Sequence, residues 1–269
     1  MKFTKMQGTG NDYVYINCFE ETVERPEELA VKVSDRHFGI GSDGLILICP
    51  SGQADCRMKM FNADGSESEM CGNGIRCVGK YVYDHHIVEK DEFDVETKAG
   101  IKHLKVTDEG GKAVLITVDM GIPEVTGEVP EPITIDGRSY EFIGISMGNP
   151  HAIYYMDEID DLDLEAIGPA FETHERFPER TNSEFIQVVD RSHLRMRVWE
   201  RGSGETWACG TGATASAVAS VLSGRTENTV EVELKGGILS ITWDRESGHV
   251  YMTGPAVEVF QGEFDPENL

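Results

Sequence analysis

Two cysteines, Cys71 and Cys209, each begin a glycine-rich turn of the form Cys-Gly-X-Gly. At the offset that separates them, residues 58–74 align without a gap with residues 196–212, and five aligned positions are identical. The same offset relates Gly10-Asn11 to Gly148-Asn149. A repeat of this kind predicts two copies of one domain, each presenting one thiol to a shared cleft.

The position of each thiol suggests its chemistry. A cysteine directly before a helix that opens with Gly-X-Gly lies among unpaired backbone N–H groups at the positive end of the helix dipole. These groups stabilise a thiolate and can also hold a carboxylate, because the glycines allow close approach. Two such thiols on opposite faces of one carbon atom suit removal of a proton from one face and its return to the other. The pattern predicts racemisation or epimerisation beside a carboxylate, with no organic cofactor and no metal.

Turn signals and hydrophobic periodicity predict the elements that position these cysteines. Four helices are expected, at residues 26–37, 72–85, 163–174 and 210–222. The last of these is rich in alanine and serine, and small side chains on all its faces suit a helix enclosed closely by a curved sheet. Short strands fill most of the remaining chain, and Asp136-Gly137 between two of them signals a hairpin.

The repeat predicts two domains, residues 1–118 and 119–254, with residues 255–269 as a tail that returns to the first domain. Residues 121–132 contain three prolines and two glycines without periodicity, as expected of a crossing between domains.

The charge of the chain indicates which classes of binding partner are disfavoured. The chain has 48 acidic against 24 basic residues, for a formal net charge of −24. This excess of negative charge disfavours nucleic acid and anionic membrane as partners. No segment has the length and apolar character of a signal peptide or a membrane span, so a cytoplasmic protein is expected.

The other four cysteines show no metal-ligand spacing, and disulfides are not expected in a cytosolic chain. Cys18, Cys49 and Cys56 lie in apolar, strand-like surroundings and are predicted to be small core residues, and Cys77 is predicted to be buried in the second helix.

Further polar residues fall in turns or at strand ends that the repeat brings toward the cleft. They are Asn11, Asn62, Asn149, Asn182, Glu200 and Arg201. His151 and Glu200 are candidates to shift the pKa values of the two thiols in opposite directions.

The sequence resembles the diaminopimelate epimerase family. The resemblance spans nearly the whole chain in the family's order. The motifs that carry it are Met6-Gln-Gly-Thr-Gly-Asn-Asp-Tyr13, Arg36-His-Phe-Gly-Ile-Gly41, Phe61-Asn-Ala-Asp-Gly65, Met70-Cys-Gly-Asn-Gly-Ile-Arg-Cys77, Met147-Gly-Asn-Pro-His151, Arg180-Thr-Asn182, Val198-Trp-Glu-Arg-Gly202, Thr206-Trp-Ala-Cys-Gly-Thr-Gly212 and Met252-Thr-Gly-Pro255.

The resemblance implies interconversion of LL- and meso-2,6-diaminopimelate, in the lysine and peptidoglycan-precursor pathway, with Cys71 and Cys209 as base and acid. It implies an α/β (α+β) fold of two pseudo-symmetric domains, each a curved mixed sheet around a central helix, and a homodimer. It assigns binding of the reacting carboxylate to Gly72, Asn73, Gly210 and Thr211. It assigns the remaining polar groups of the substrate to Asn11, Asn62, Asn149, Asn182, Glu200 and Arg201, and modulation of the thiols to His151 and Glu200. The chain has Gly44 where some members of the family have glutamine.

Three alternatives remain open from the sequence. A proline or hydroxyproline racemase would also use two such cysteines, although Arg201 and the extra asparagines favour a substrate with a second charged end. Residues 74–80 fit the spacing of a phosphate loop, and residues 210–215 that of a dinucleotide turn, which would suit a nucleotide-binding protein. Two thiols facing a cleft would also suit a redox dithiol protein.

Overall fold

A computed structural model describes residues 1–268. In chain order its elements are β1 (Lys2–Gly8), β2 (Asn11–Asn17), α1 (Pro26–Ser34), β3 (Gly44–Cys49), β4 (Cys56–Asn62), β5 (Glu67–Ser68), α2 (Gly72–Asp84), β6 (Glu92–Thr97), β7 (Gly100–Glu109), β8 (Lys112–Gly121), β9 (Glu124–Val125), β10 (Glu131–Ile135), β11 (Arg138–Ser146), β12 (Pro150–Tyr155), α3 (Leu164–Glu172), β13 (Asn182–Asp190), β14 (His193–Glu200), β15 (Gly204–Glu205), α4 (Gly210–Leu222), β16 (Thr229–Leu234), β17 (Gly237–Trp243), β18 (Val250–Gly254) and β19 (Val257–Glu263).

The chain divides into two compact units. The first comprises residues 1–118 and the chain from Gly254 onward, and the second comprises residues 119–253. The division falls inside β8, ahead of the proline-rich residues 121–132, and those residues contribute β9 and the start of β10 to the second unit. Leu269, the last residue of the predicted tail, lies outside the described residues.

Within residues 1–268, each unit contains eight principal strands with the same pattern of pairing. In the first unit the order is β19-β1-β2-β3-β4-β6-β7-β8, with β2/β3 and β4/β6 parallel and the other pairs antiparallel. In the second the order is β10-β11-β12-β13-β14-β16-β17-β18, with β12/β13 and β14/β16 parallel. The C-terminal strand β19 therefore occupies in the first unit the place that β10 occupies in the second.

One long helix is central to each unit. Helix α2 packs against β1, β2, β7 and β19, and α4 packs against β11, β12, β13, β16 and β17. In α4 the side chains from Ala213 to Ser220 are all buried, so small residues are needed on every face of this helix. These mixed sheets around central helices are the predicted fold class.

Helix α1 is shorter than predicted, because it ends at Ser34 rather than at residue 37. Asp35 leaves the helical conformation, and its Oδ1 accepts hydrogen bonds from the backbone N–H groups of His37 and Phe38, at 2.7 and 2.8 Å. A side chain that bonds backbone groups two and three residues ahead competes with helix continuation. Helix α3 is also shorter, since Asp163 caps it through Ala166 N and it ends at Glu172.

Two of the predicted core cysteines are not in the core. Cys56 and Cys77 are buried, as predicted, but Cys18 and Cys49 are only half-buried. The prediction was wrong for these two because Cys18 follows the end of β2 and Cys49 is the last residue of β3, where both strands emerge from the core.

Among residues 1–268, none of the helices is both long enough and apolar enough to cross a membrane.

Candidate active site

Cys71 is the N-cap residue of α2, with an extended backbone conformation. Its Sγ accepts a hydrogen bond from Gly74 N at 3.3 Å and donates one to Asn11 Oδ1 at 3.2 Å. A Cβ atom at Gly74 would lie 2.7 Å from Ile46 Cδ1. Helix α2 therefore packs against β3 so closely at this residue that glycine fits better than a residue with a side chain. The sulfur is thus held at the positive end of α2, where the dipole favours an anion.

A buried arginine supports this turn. Arg76, which has no exposed surface, donates through Nη1 to Asn73 Oδ1 at 3.0 Å and to Gly72 O at 3.2 Å. Burial lowers the pKa of Arg76, and the nearby sulfur atoms of Cys77 and Cys71 act in the opposite direction. The guanidinium fixes the orientation of the Asn73 side chain and adds positive charge close to Cys71.

Asn11 links Cys71 to the start of β2. Its Nδ2 donates to Asp43 Oδ2 at 2.8 Å, and the Asp12 backbone N–H donates to the same oxygen at 3.0 Å. The Asn11 side chain therefore presents its carbonyl oxygen to the thiol and its amide to a carboxylate.

Asn62 lies at the end of β4, and the bond described for its side chain is from Nδ2 to Ser66 Oγ at 3.0 Å rather than to Cys71. It pairs with Gly44 in the register of β3 and β4. A Cβ atom at Gly44 would lie 2.2 Å from Phe61 O and 2.7 Å from Tyr13 Cε1. This backbone has no room for a glutamine side chain at position 44.

Cys209 is the N-cap residue of α4 and repeats the arrangement of Cys71. Its Sγ accepts from Gly212 N at 3.3 Å and lies 3.5 Å from Thr211 Oγ1. Asn149 Nδ2 donates to that hydroxyl at 3.3 Å. Cys209 is 5% exposed, whereas Cys71 is half-buried, so the second thiol is the better shielded from water.

Acidic groups surround Cys209. Burial raises the pKa of the Cys209 thiol well above its usual value, and the carboxylates of Glu200 and Glu184 raise it further. Burial also raises the pKa of Glu200, against the effect of its hydrogen bonds with Thr206 and Cys209. The neutral thiol is therefore the favoured form at Cys209.

His151 lies in the same buried group. Its Nδ1 lies 2.7 Å from Glu184 Oε1, and its Nε2 lies 3.1 Å from Asn149 Oδ1. Asn149 therefore connects the imidazole to Thr211 and, through that hydroxyl, to Cys209.

Asn182 and Arg201 form a second polar group in this unit. Asn182 opens β13, where its Nδ2 donates to Pro150 O at 2.8 Å and its Oδ1 accepts from Arg201 N at 2.9 Å. The Arg201 side chain is exposed, and its Nη1 lies 3.4 Å from Glu179 O. The Asn182 side chain thus fixes the backbone that follows Glu200.

Glu184 is a residue of this site that was not predicted from the sequence. This residue of β13 has no exposed surface, and within the described residues its Oε2 has no hydrogen-bond partner. One donor atom each from His151, Glu184 and Cys209 lie within 4.8 Å of one another, a donor set that a thiophilic metal ion could use. Its signal in the sequence is the repeat itself, because the offset aligns Glu184 with Ile46 and so places a charge where the first copy has an apolar residue.

The two thiols therefore have different surroundings although their helix caps are alike. The offset of 138 residues pairs Tyr13 with His151, Ile46 with Glu184, Asn62 with Glu200 and Arg76 with Thr214. Cys71 has a buried cation nearby, whereas Cys209 has two carboxylates and an imidazole. The repeat is symmetric in its backbone and asymmetric in its charge.

The family of this chain follows from its match to one protein-family model. The model for diaminopimelate epimerase matches residues 3–126 and 143–259. The chain belongs to the diaminopimelate epimerase family. Two relatives named diaminopimelate epimerase support this over essentially their full length. The protein from Desulfovibrio desulfuricans is 59% identical over 98% of both chains, and the one from Acetivibrio thermocellus is 58% identical over 100% of both chains.

Solved structures share the fold of this diaminopimelate epimerase family member at much lower sequence identity. A phenazine biosynthesis protein of the PhzF family from Bacillus anthracis aligns with a TM-score of 0.76 at 18% identity, covering 98% of this chain and 99% of that one. A hydroxyproline epimerase from Agrobacterium vitis aligns with a TM-score of 0.74 at 15% identity, covering 97% and 91%. The racemase alternative thus shares the fold, but the sequence matches the diaminopimelate epimerase family.

Proposed function

We propose that this protein is an isomerase that interconverts LL- and meso-2,6-diaminopimelate by a two-base mechanism at Cys71 and Cys209, without an organic cofactor. The observation that carries the proposal is the repeated cap: each sulfur accepts a backbone N–H from the first turn of a helix, at 3.3 Å. Membership of the diaminopimelate epimerase family supports the choice of substrate.

The difference in charge supports a division of roles between the thiols. Arg76 and the dipole of α2 favour a thiolate at Cys71, which takes the α-proton. Burial and the carboxylates of Glu200 and Glu184 keep Cys209 protonated, so its thiol donates a proton to the opposite face. Reversal of the reaction exchanges the two roles, because the same transition state is crossed in both directions.

Backbone groups stabilise the charge that develops on the reacting carboxylate. The first turns of α2 and α4 contain Gly72, Asn73, Gly210 and Thr211, and their backbone N–H groups are assigned to this carboxylate. Donors fixed before the reaction are more effective than water, which must reorient. The mechanism requires one substrate α-carbon to contact both sulfurs.

The remaining polar residues are assigned to the rest of the substrate. Diaminopimelate has a second amino-acid end, which needs partners for one ammonium and one carboxylate group. The assigned residues are Asn11, Asn62, Asn149, Asn182, Glu200 and Arg201. Of these, Arg201 supplies the positive charge for the distal carboxylate, and its exposed guanidinium is available for that contact.

Solvent exchange tests the function. The protein is incubated with LL-diaminopimelate in D₂O, and the product isomers are separated and analysed by mass spectrometry. We expect one deuterium at the epimerised α-carbon of the meso product, with no added cofactor. Cys71→Ala and Cys209→Ala should each abolish epimerisation, while Cys56→Ser serves as a thiol control outside the site. Exchange into proline but not into diaminopimelate would reject the assignment, and so would full activity of the double alanine variant.

Three properties of the whole protein belong to the same proposal. A homodimer is proposed from the family, and the half-exposed side chains of Val259 and Phe260 on β19 offer apolar surface for it. A cytoplasmic location suits two catalytic thiols that must stay reduced. The net charge of −24 supports a protein that does not bind nucleic acid. Sedimentation equilibrium at several concentrations would test the dimer.

A further inference from the structure

Two cysteines outside the candidate active site lie side by side. Strands β2 and β3 are parallel, with Asn17 opposite Ile48, so the next residues on the two strands are Cys18 and Cys49. The backbone N–H of Cys18 donates to Ile48 O at 2.8 Å, which keeps the strands paired at this point. Neighbouring strands are about 4.8 Å apart. This spacing falls within the range of Cα separations that a disulfide bridges, about 4.4 to 6.8 Å.

The two thiols face the same way and are accessible. Both side chains are half-buried and pack against the edge of the core cluster formed by β2, β3 and α1. They are hydrogen-bonded to each other, and both are unoxidised in this structure. Neither belongs to the network around Cys71.

Charge distinguishes the two members of the pair. The hydrogen bond from Cys18 lowers the pKa of Cys49 to about 7, with help from the positive charges of Lys59 and Arg57 and against the effect of burial. The same hydrogen bond, together with burial, raises the pKa of Cys18. Near neutral pH, Cys49 therefore carries the thiolate and Cys18 retains the shared proton. This is the arrangement of an attacking and a resolving thiol.

We propose that Cys18 and Cys49 form a redox-active dithiol that exchanges with small disulfides and closes to an intrachain disulfide. The Cys49 thiolate attacks one sulfur of a small disulfide, such as glutathione disulfide, and displaces its other half as a thiolate. Cys18 then loses its proton to solvent or to that thiolate and attacks Cys49 Sγ, which releases the second half as a thiol. Two protein thiols are oxidised, and one small disulfide is reduced to two thiols.

The remaining structural cysteines do not compete for this reaction. Burial raises the pKa of Cys56 to about 12, and Cys77 is also buried, with its pKa raised to about 11. The proposal stands on the first unit alone and does not depend on the epimerase function. Its failure would therefore leave the proposed function untouched.

Peptide mapping tests the proposal. The full-length protein is equilibrated at pH 7.5 in glutathione buffers of increasing disulfide content, quenched in acid, alkylated and digested. We expect a cross-linked peptide pair that contains Cys18 and Cys49 and weighs two hydrogens less than the separate peptides. Dithiothreitol should reverse it, and Cys56 should remain unmodified in the folded protein. A disulfide that involves Cys71 or Cys209 would give a different peptide pair, so the mapping distinguishes it from the Cys18–Cys49 disulfide.

Two single variants test the order of attack. In Cys18→Ser no resolving thiol remains, so we expect Cys49 to accumulate as the mixed disulfide with one glutathionyl group. In Cys49→Ser we expect Cys18 to stay reduced under the same conditions, and Cys56→Ser should cross-link like the wild-type protein. Neither Cys18 nor Cys49 has a place in the epimerase mechanism, so reduced samples of both variants should epimerise diaminopimelate at the wild-type rate.

The alkylation rate of Cys49 provides a second measurement. In the wild-type protein its reaction with iodoacetamide should rise with pH through a midpoint near 7. In Cys18→Ala, which removes the hydrogen-bond donor, that midpoint should move upward by at least half a unit. Absence of the Cys18–Cys49 peptide at every glutathione ratio would overturn the proposal. So would an alkylation midpoint at or above 8.5, the usual value for a cysteine thiol.

Discussion

His151 Nδ1 and Glu184 Oε1 lie 2.7 Å apart, and neither side chain has any exposed surface. The carboxylate fixes the orientation of the imidazole, whose other nitrogen faces Asn149. Through Asn149 and Thr211 the pair is connected to Cys209. Glu184 is thus a positioning residue in the unit that holds the more buried thiol.

We expect Glu184→Gln to lower kcat/KM by roughly a hundredfold, because the imidazole loses its anionic partner and its fixed orientation. The loss should be equal in both directions, since the equilibrium between the two isomers is fixed. The pH profile should also shift, because the Glu184 carboxylate contributes to the raised pKa of Cys209. Kinetics of both directions from pH 6 to 10 would measure this.

A second histidine-carboxylate pair serves as the matched control. His249 Nδ1 lies 2.8 Å from Asp119 Oδ2, in the same unit but outside the network of Cys209. Asp119→Asn should leave the pH profile unchanged. If Glu184→Gln gives the wild-type profile and rate, Glu184 has no positioning role.

The reactivity of Cys71 and Cys209 should differ in the unliganded protein. Burial, Glu200 and Glu184 raise the pKa of Cys209, so its alkylation by iodoacetamide at pH 8 should be at least tenfold slower than that of Cys71. Glu200→Gln removes one negative charge and should lower the pKa of Cys209, which speeds its alkylation at this pH. Peptide-resolved mass spectrometry gives both rates, and equal rates in the wild-type protein would contradict the assignment of roles.

Asp12 should make stability depend on pH in the acidic range. Burial alone would raise the pKa of Asp12, but the hydrogen bonds and charges of Arg36 and Lys5 hold it below its usual value. A carboxyl group whose pKa is depressed in the folded state stabilises the folded protein, and its contribution is complete when the pH is above the pKa that the group has in the unfolded chain. That contribution is lost as pH falls through the folded value.

We therefore expect Asp12→Asn to lower the free energy of unfolding at pH 7 by about 1–3 kcal/mol, mainly because the buried Lys5 loses its carboxylate partner and keeps the carbonyl oxygen of Gly41. The difference between variant and wild type should shrink toward zero as pH falls below about 3.9, the usual value for aspartate. Urea unfolding at pH 7 and at successively lower pH would show this. A difference that is constant with pH would contradict the role of the charge.

Gly168 should be intolerant of alanine although it lies inside α3. In most helix interiors, replacing glycine with alanine stabilises the folded protein by up to about 1 kcal/mol. Here the new Cβ would lie 2.2 Å from Trp199 Cδ2, and the indole is held by a 2.8 Å hydrogen bond from Nε1 to Glu172 Oε2. We expect Gly168→Ala to destabilise by about 1–3 kcal/mol in urea unfolding.

An open glycine provides the comparison for this prediction. A Cβ at Gly52 would meet nothing within 4 Å, so Gly52→Ala should change stability by less than about 0.5 kcal/mol. Equal effects of the two substitutions would show that the contact with Trp199 has no energetic importance.

The sequence alone determined those features whose causes are local. Both Cys-Gly-X-Gly turns start a helix at the predicted residue, because the cap and the glycines act within one turn of the chain. The alanine-rich composition predicted the bounds of α4, and the Asp136-Gly137 hairpin has positive φ at both residues. The repeated turns and the offset between them also pointed to one fold used twice.

Only the tertiary structure decided which distant residues meet. No local signal places β19 beside β1, or shows that Cys18 and Cys49 lie side by side at the edge of the core. In the sequence, Glu184 is only a charged residue in a strand. It becomes part of the site only because the parallel pairing of β12 with β13 brings it against His151. Such pairings depend on the packing of elements far apart in the chain, which a repeat or a helix cap does not encode.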